Sequence, residues 1–139
     1  FGETRMDDYK AYCKVDFLIP VNDKIYILDW KTGKQDTDKH SKQLTGYALW
    51  AQYHFETSSK DISPSIVYLS PRYQEYSLNL TDKQLEDFKI QVVKETKQMY
   101  EYLKDIENNI PKNKEEFKKT DNEFFCRYCN FREICREKY

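Results

Sequence analysis

The sequence has few of the residues that interrupt regular structure. Three Gly and four Pro among 139 residues argue against a fold made mainly of loops. No apolar run approaches the roughly 18 residues that a membrane span needs, and the polar opening residues contain no signal peptide, so we expect a cytoplasmic protein without membrane contact. The net charge of −1 excludes a uniformly basic nucleic-acid binder but allows a local basic surface.

What remains is a charged and aromatic-rich chain of globular composition. Hydrophobic residues make up 39%, aromatic residues 16% and charged residues 34%, which suits one folded chain with a sizeable core. We divide it into a core over residues 1–110 and a cysteine-containing tail over residues 111–139. Because the first residue is not Met, we expect natural N-terminal residues to be missing from the sequence.

The first part of the chain predicts a β-hairpin. Residues 9–21 are rich in aromatic and β-branched residues and predict one long strand. Residues 22–23, Asn-Asp, suit a two-residue turn because both residue types tolerate positive φ, and residues 24–31 predict the second strand. In that register Asp16 lies directly opposite Asp29.

The rest of the chain predicts two helices and a second hairpin. A helix is predicted over residues 36–56, and strands over 65–70 and 73–80. The capping-box pattern at residues 81–84 opens a long helix whose apolar stripe continues to Ile106. The order β-β-α-β-β-α-tail indicates an α/β (α+β-like) fold, with a mixed β-sheet flanked by helices.

Charged residues interrupt the second strand where a buried strand would stay apolar. Asp29 and Lys31 are two residues apart and share a face, and Asp16 would place its Cβ about 4.5–5.5 Å from that of Asp29. Two carboxylates so close are tolerated when a divalent cation neutralises them, and hard oxygen ligands suit Mg²⁺ or Mn²⁺. From spacing alone, the alternative is a solvated sheet face with incidental charges.

These residues carry a resemblance. The segment "KVDFLIPVNDKIYILDWKTGK", followed by "QLTGYALWA", is similar to the RecB-like branch of the PD-(D/E)XK nuclease superfamily. That family has an Asp on one strand, an Asp/Glu-x-Lys on the next and a Gln-x-x-x-Tyr helix after it. The residues that match in order and spacing are Asp16, Asp29, Lys31, Gln43 and Tyr47.

The resemblance implies a restriction-endonuclease-like core and Mg²⁺-dependent hydrolysis of DNA phosphodiester bonds. It points to an exonuclease of DNA repair, recombination or CRISPR-type processing, with DNA as the partner and a helicase domain or subunit as a further one. Asp16, Asp29 and the backbone carbonyl of Trp30 would be the metal ligands, and Lys31 would orient or activate the attacking water.

Two further features of the resemblance bear on activity. Gln43 and Tyr47 share a helix face and would contact DNA and brace the site, although Tyr47 alone equally predicts a core residue. Such nucleases usually carry a His or acidic residue on a helix upstream of the first strand. Only fifteen residues precede Asp16, so we expect that helix to be missing. The alternative is a catalytically incomplete, nuclease-derived module for DNA binding or assembly.

Three of the four cysteines lie close together in the tail. Cys126-x2-Cys129-x5-Cys135 is a spacing typical of metal sites, with zinc or an iron–sulfur cluster as candidates. RecB-like exonucleases of the AddB and CRISPR-associated kinds end in this pattern, which implies a [4Fe–4S] cluster with a fourth Cys far upstream. We predict Cys13 to be a core residue, so the cluster would be incomplete here. Three cysteines and a His on Zn²⁺ are the alternative.

Other aromatic and basic residues have simpler interpretations. Tyr26, Leu28 and Trp30 share the strand face opposite the acids, and we expect them in the core. For Tyr68, Tyr73 and Tyr76 we expect packing in the sheet rather than stacking on bases. With the cluster incomplete, we expect packing of Phe124, Phe125 and Phe131 to hold the tail. Basic residues that would either contact a phosphate backbone or be solvated are Lys34, Lys39, Lys42, Lys118, Lys119, Arg127, Arg132 and Arg136.

Overall fold

The structure, a computed structural model, describes residues 2–6 and 9–135. It forms two compact units, Phe1–Glu95 and Thr96–Tyr139. A functional boundary at residue 110 stays a prediction. Among the described residues, every helix is too short or too polar to cross a bilayer.

The described strands and helices follow the predicted order with additions at both ends. The first unit contains β1 (Gly2–Met6), β2 (Tyr9–Cys13), β3 (Phe17–Val21), β4 (Lys24–Lys31), α1 (Thr37–Phe55), β5 (Ile62–Tyr68), β6 (Gln74–Ser77) and most of α2 (Asp82–Tyr100). The second unit contains β7 (Leu103–Asp105), β8 (Ile110–Pro111), α3 (Glu123–Arg127) and α4 (Arg132–Cys135).

A mixed sheet of four strands forms the centre of the first unit. Its order is β3-β4-β5-β6, and β1 and β2 form a separate two-stranded sheet. The central pair, β4 and β5, is parallel, whereas β3 with β4 and β5 with β6 are antiparallel. Helix α1 supplies the crossover between the two parallel strands, as such connections require. The predicted α/β class is therefore confirmed.

The first predicted hairpin forms in the predicted register. Asn22 and Asp23 both have positive φ, 45° and 48°, as a two-residue turn of this kind needs. The ladder runs from Val21 opposite Lys24 to Phe17 opposite Leu28. Continued by one residue, this register would pair Asp16 with Asp29, although the ladder itself ends before that position.

The prediction of one strand over residues 9–21 is wrong. The strand breaks after Cys13, since β2 pairs with β1 and β3 pairs with β4 in a different sheet. The break also changes which side chains are buried: Cys13 lies in the core, while Phe17 and Ile19 are exposed. A uniform alternation could not hold across it, because the two segments satisfy their backbone hydrogen bonds with different partners.

Helix α1 determines which face of β4 is buried. Ile25, Ile27 and Asp29 are buried, whereas Tyr26 and Trp30 are 40% and 50% exposed. The prediction that the aromatic face of β4 is core is therefore wrong. Strand side chains alternate with period two, so covering the Ile25 face necessarily also covers Asp29 and leaves Trp30 outside. Trp30 packs there against Phe17, with ring centroids 4.8 Å apart.

Both helices begin with a side-chain cap. Asp36 caps α1 by accepting a hydrogen bond from Lys39 N at 3.1 Å. At the start of α2, Thr81 N donates to Gln84 Oε1 at 2.9 Å and Gln84 N donates to Thr81 Oγ1 at 3.2 Å. This is the predicted capping box.

The continuation of α2 to Ile106 is wrong. The helix ends at Tyr100, and Leu103–Asp105 forms β7 instead. Met99 and Ile106 are exposed, and Leu103 is only half-buried, so the predicted stripe is poorly packed at this end. Helices gain most of their stability from packing such a stripe, and propensity alone does not extend them.

The second predicted hairpin is also present, with β5 beginning three residues earlier than predicted. Its ladder joins Tyr68 to Gln74 and Ser65 to Ser77. Tyr68 is buried and Tyr76 packs against it, as predicted, but Tyr73 is exposed.

Candidate active site

The Asp29 carboxylate is the point where the side chains predicted on β4 and α1 meet. It is 3% exposed, at the end of the buried face of β4. Gln43 Nε2 lies 3.4 Å and Tyr47 Oη 3.5 Å from its Oδ1, both as long donor contacts. Gln43 Nε2 also donates to Tyr47 Oη at 2.5 Å. Helix α1 thus contacts Asp29 Oδ1 through Gln43 and Tyr47, which are also hydrogen-bonded to each other.

Lys31 approaches the other oxygen of the same carboxylate. Its Nζ lies 2.5 Å from Asp29 Oδ2, with the lysine side chain 25% exposed. Oδ2 is buried and receives no hydrogen bond of regular geometry from the described residues, so this ion pair is its compensation there. A buried carboxylate requires such a countercharge, because desolvation penalises the charged form.

Asp16 lies next to this pair through a backbone contact. Its Oδ2 accepts a hydrogen bond from Trp30 N at 3.1 Å, beyond the end of the β3–β4 ladder. In an extended strand the N–H and C=O of one residue point to the same side. The carbonyl of Trp30 therefore faces the edge where Asp16 lies, as a shared ligand set would require.

The pKa of the Tyr47 phenol is raised above its ordinary value. Burial raises the pKa of its phenol above the ordinary value, and the charges of Asp29 and Asp16 raise it further, while the hydrogen bond with Gln43 opposes the shift. The phenol is consequently neutral at physiological pH, and its hydrogen is available to Asp29.

The oxygen ligands at this site suit a hard divalent cation. No group of three or more His, Cys, Asp or Glu side chains with metal-binding geometry occurs within residues 2–6 and 9–135. The available ligands are two carboxylates and one backbone carbonyl, all oxygen. Mg²⁺ keeps several waters and is commonly bound through one or two carboxylates, so this sparse set fits it. Asp29 Oδ2, which has no hydrogen bond from the described residues, is the oxygen that such a cation would bind.

One buried polar pair beside the site was missed in the sequence. His40 Nδ1 and Tyr68 Oη share a hydrogen bond of 2.6 Å, and both residues are buried. Tyr68 is the β5 partner of Lys31 in the parallel ladder. Helical spacing could have found His40, because it lies four residues before the buried Leu44 on the covered face of α1.

The tail cysteines are free thiols. Cys126 is half-buried and Cys129 and Cys135 are exposed. The prediction that packing of Phe124, Phe125 and Phe131 holds the tail is wrong, since all three are exposed. Helices α3 and α4 have only five and four residues, too short to present an apolar face that could bury these rings.

The fourth cysteine has a different environment. Cys13 is buried in the apolar cluster of the first unit, which confirms the prediction of a core residue. Burial raises the pKa of its thiol to about 11, so it is protonated and a poor metal ligand at neutral pH. The described cysteines therefore do not by themselves form a four-thiolate set.

The predicted basic residues are all on the surface wherever they are described. Lys34, Lys39 and Lys42 lie around the start of α1, and Lys118, Lys119, Arg127 and Arg132 are exposed in the second unit. Arg136 lies outside the described residues. This placement fits contact with phosphates as well as simple solvation.

Comparison with known protein families identifies a match over most of the chain. A family model described as the PD-(D/E)XK nuclease superfamily matches residues 8–136, nearly the whole chain. A search of curated proteins finds no match. The matched range includes every residue of the Asp29 site and all four cysteines.

Proposed function

Because the chain belongs to the PD-(D/E)XK nuclease superfamily, we propose that it is a Mg²⁺-dependent deoxyribonuclease that hydrolyses phosphodiester bonds. The convergence of Lys31, Gln43 and Tyr47 on the Asp29 carboxylate is the observation that supports this most directly. The residue types that follow one another in the sequence motif therefore lie together around one carboxylate.

In this proposal Asp16, Asp29 and the carbonyl of Trp30 hold Mg²⁺ or Mn²⁺. When bound, the ion would supply an activated water and positive charge at the phosphate. Gln43 and Tyr47 fix the orientation of Asp29 through its Oδ1, which leaves Oδ2 for the ion.

In this proposal Lys31 is the side chain that acts on the attacking water or on the phosphate. It pairs with Asp29 Oδ2, and a cation at that oxygen would replace it as the countercharge. The ammonium is partly exposed, so it would be able to orient the attacking water or stabilise charge developing on the phosphate.

We assign the chain to the RecB-like branch as an exonuclease of DNA repair, recombination or CRISPR-type processing, acting beside a helicase domain or subunit. The ordered motif over residues 14–51 supports this assignment. A second candidate, a catalytically incomplete DNA-binding module, is favoured by the small acidic set, since the described residues bring no third acidic side chain to the carboxylates.

A cleavage assay separates the two candidates. Wild-type protein should degrade end-labelled DNA with Mg²⁺ or Mn²⁺ and should stop when EDTA is added, because the carboxylates alone cannot activate water. Release of mononucleotides or short oligonucleotides from one end indicates an exonuclease, and an RNA substrate tests the preference for DNA. DNA binding without cleavage under every metal condition would reject the nuclease in favour of the module.

For the tail, we propose that Cys126, Cys129 and Cys135 ligate a [4Fe–4S] cluster completed by a thiol from outside this set. Their spacing and their free, accessible thiols support ligation. Cys126 and Cys135 lie on two short helices and Cys129 lies between them, so this segment with its exposed aromatic rings would gain its order largely from metal binding.

We expect anaerobically purified protein containing its natural upstream residues to be brown, and serine at any of the three tail cysteines to bleach it. Cys13→Ser is the matched control and should keep the colour, because that thiol is buried in the core of the first unit. Elemental analysis measures the metal. Stoichiometric zinc without iron would reject the cluster and leave a structural zinc site.

A further inference from the structure

A cavity opens near Lys31, at the carboxyl ends of the two parallel strands. It has a volume of about 210 Å³ and is lined by Gly33 and Lys34 from the segment after β4 and by Tyr68, Arg72 and Gln74 from the β5–β6 hairpin. We call it the Tyr68 cavity. Ligands of mixed and parallel sheets bind preferentially at this end of the strands, where loops can converge on them.

The lining is cationic and contains no acidic residue. Lys34 and Arg72 are exposed and reach the cavity from two different loops. Within residues 2–6 and 9–135, neither has a carboxylate at ion-pair distance. Two uncompensated cations converging on a concave site, one of them a guanidinium, are suited to a phosphate group.

The wall of the cavity is fixed rather than mobile. Tyr68 is 2% exposed, and its hydroxyl is held by the buried His40 at 2.6 Å. Gln74 is its antiparallel partner in the β5–β6 ladder. A phosphate entering the cavity would therefore meet a pre-formed surface and would have only two flexible cations to order.

The cavity adjoins the candidate catalytic residues directly. Tyr68 pairs with Lys31 across β4 and β5, and Leu69 N donates to Lys31 O at 2.9 Å. Adjacent strands lie about 4.7–4.9 Å apart, so a group in the cavity is a close neighbour of one at Lys31. Two consecutive phosphates of one DNA strand would need binding sites that lie this close together.

We propose that the Tyr68 cavity binds the backbone phosphate next to the scissile one, with Arg72 and Lys34 as its cationic contacts. This subsite rests on the proposed nuclease function and deepens it. The enzyme would hold two neighbouring phosphates, one at the carboxylates and one in the cavity, so that the P–O bond to be cleaved is aligned with the attacking water.

Gly33 offers a sharp test of the cavity. A Cβ at this position meets no atom within 4 Å, and the backbone does not have positive φ, so a side chain can be added without strain. Gly33→Asp would place a carboxylate in the phosphate site, and Gly33→Ala is its uncharged control. Arg72→Ala removes a contact, with Lys24→Ala, at the opposite end of β4, as the control for losing a surface charge.

Binding should be measured by fluorescence anisotropy with a labelled single-stranded DNA in EDTA, over a series of salt concentrations. Arg72→Ala should reduce the slope of log affinity against log salt by about 0.7, the value for one phosphate contact on a single strand. Gly33→Asp should weaken binding by roughly tenfold or more through like-charge repulsion. Gly33→Ala and Lys24→Ala should both match the wild type, and thermal unfolding checks that every variant folds.

The outcomes separate the subsite from the nuclease itself. Unchanged affinity and salt slope in both Arg72→Ala and Gly33→Asp, with wild type still binding and cleaving, would reject the subsite and leave the nuclease proposal intact. Failure of the wild type to bind DNA under any salt condition would reject both. Equal weakening by Gly33→Asp and Gly33→Ala would also overturn the phosphate assignment, because charge would then play no part.

Discussion

Lys31→Ala should lower the rate of DNA cleavage by roughly 10²–10³-fold or more while leaving DNA affinity close to that of the wild type. The substitution removes the ammonium that pairs with Asp29 Oδ2 at 2.5 Å and that would act on the water or the scissile phosphate. Substrate affinity should survive, because the proposed phosphate contacts, Lys34 and Arg72, lie outside this pair.

Single-turnover cleavage with excess enzyme measures the chemical step, and anisotropy with Ca²⁺ in place of Mg²⁺ measures binding. Lys24→Ala is the matched control, since it removes a lysine from the other, exposed end of the same strand. Cleavage by Lys31→Ala at the wild-type rate would exclude Lys31 from the mechanism. Equal loss of binding and cleavage would make it a binding residue instead.

Asp29→Asn should abolish detectable cleavage together with Mn²⁺ binding. The change preserves the shape of the side chain but removes the charge that a divalent cation needs, and Asp16 with one carbonyl is too small a ligand set to replace it. The fold should persist, because Lys31 is 25% exposed and can reach water once its partner is neutral. Loss of a buried pair is most costly when the remaining charge stays buried.

Titration calorimetry with Mn²⁺, followed by thermal unfolding with and without the ion, measures both effects. Wild-type protein should gain stability with Mn²⁺ by mass action, and Asp29→Asn should not. Asp23→Asn is the control, since it changes an exposed Asp at a positive-φ position that Asn also tolerates. Unaltered Mn²⁺ affinity in Asp29→Asn would remove Asp29 from the ligand set.

Features that depend on neighbours in the chain could be predicted. The turn at Asn22 and Asp23, the capping box of α2 and the extent of α1 all follow from contacts within a few residues. The placement of the motif residues within each element could also be predicted from the sequence. The period of two residues in a strand puts Asp29 beside Lys31, and the period of 3.6 in a helix puts Gln43 beside Tyr47.

The contact between the two motif pairs needed the resemblance as well as the periods. The sequence indicated that a helix follows β4, but Gln43 and Asp29 are separated by fourteen residues and meet only because α1 crosses back over the sheet. The ordered motif predicted that meeting. Propensity and periodicity gave no reason for it, because neither contains information on how elements pack.

Tertiary structure alone decided which faces are buried and where elements stop. The buried face of β4 includes Asp29 and leaves Trp30 exposed because α1 covers that side, although hydrophobicity favoured the reverse. The break after Cys13 and the end of α2 at Tyr100 reflect the partners available to each backbone segment. Burial and pairing are properties of the assembled sheet, so a local pattern could determine the residue types of the site but not the surface that encloses them.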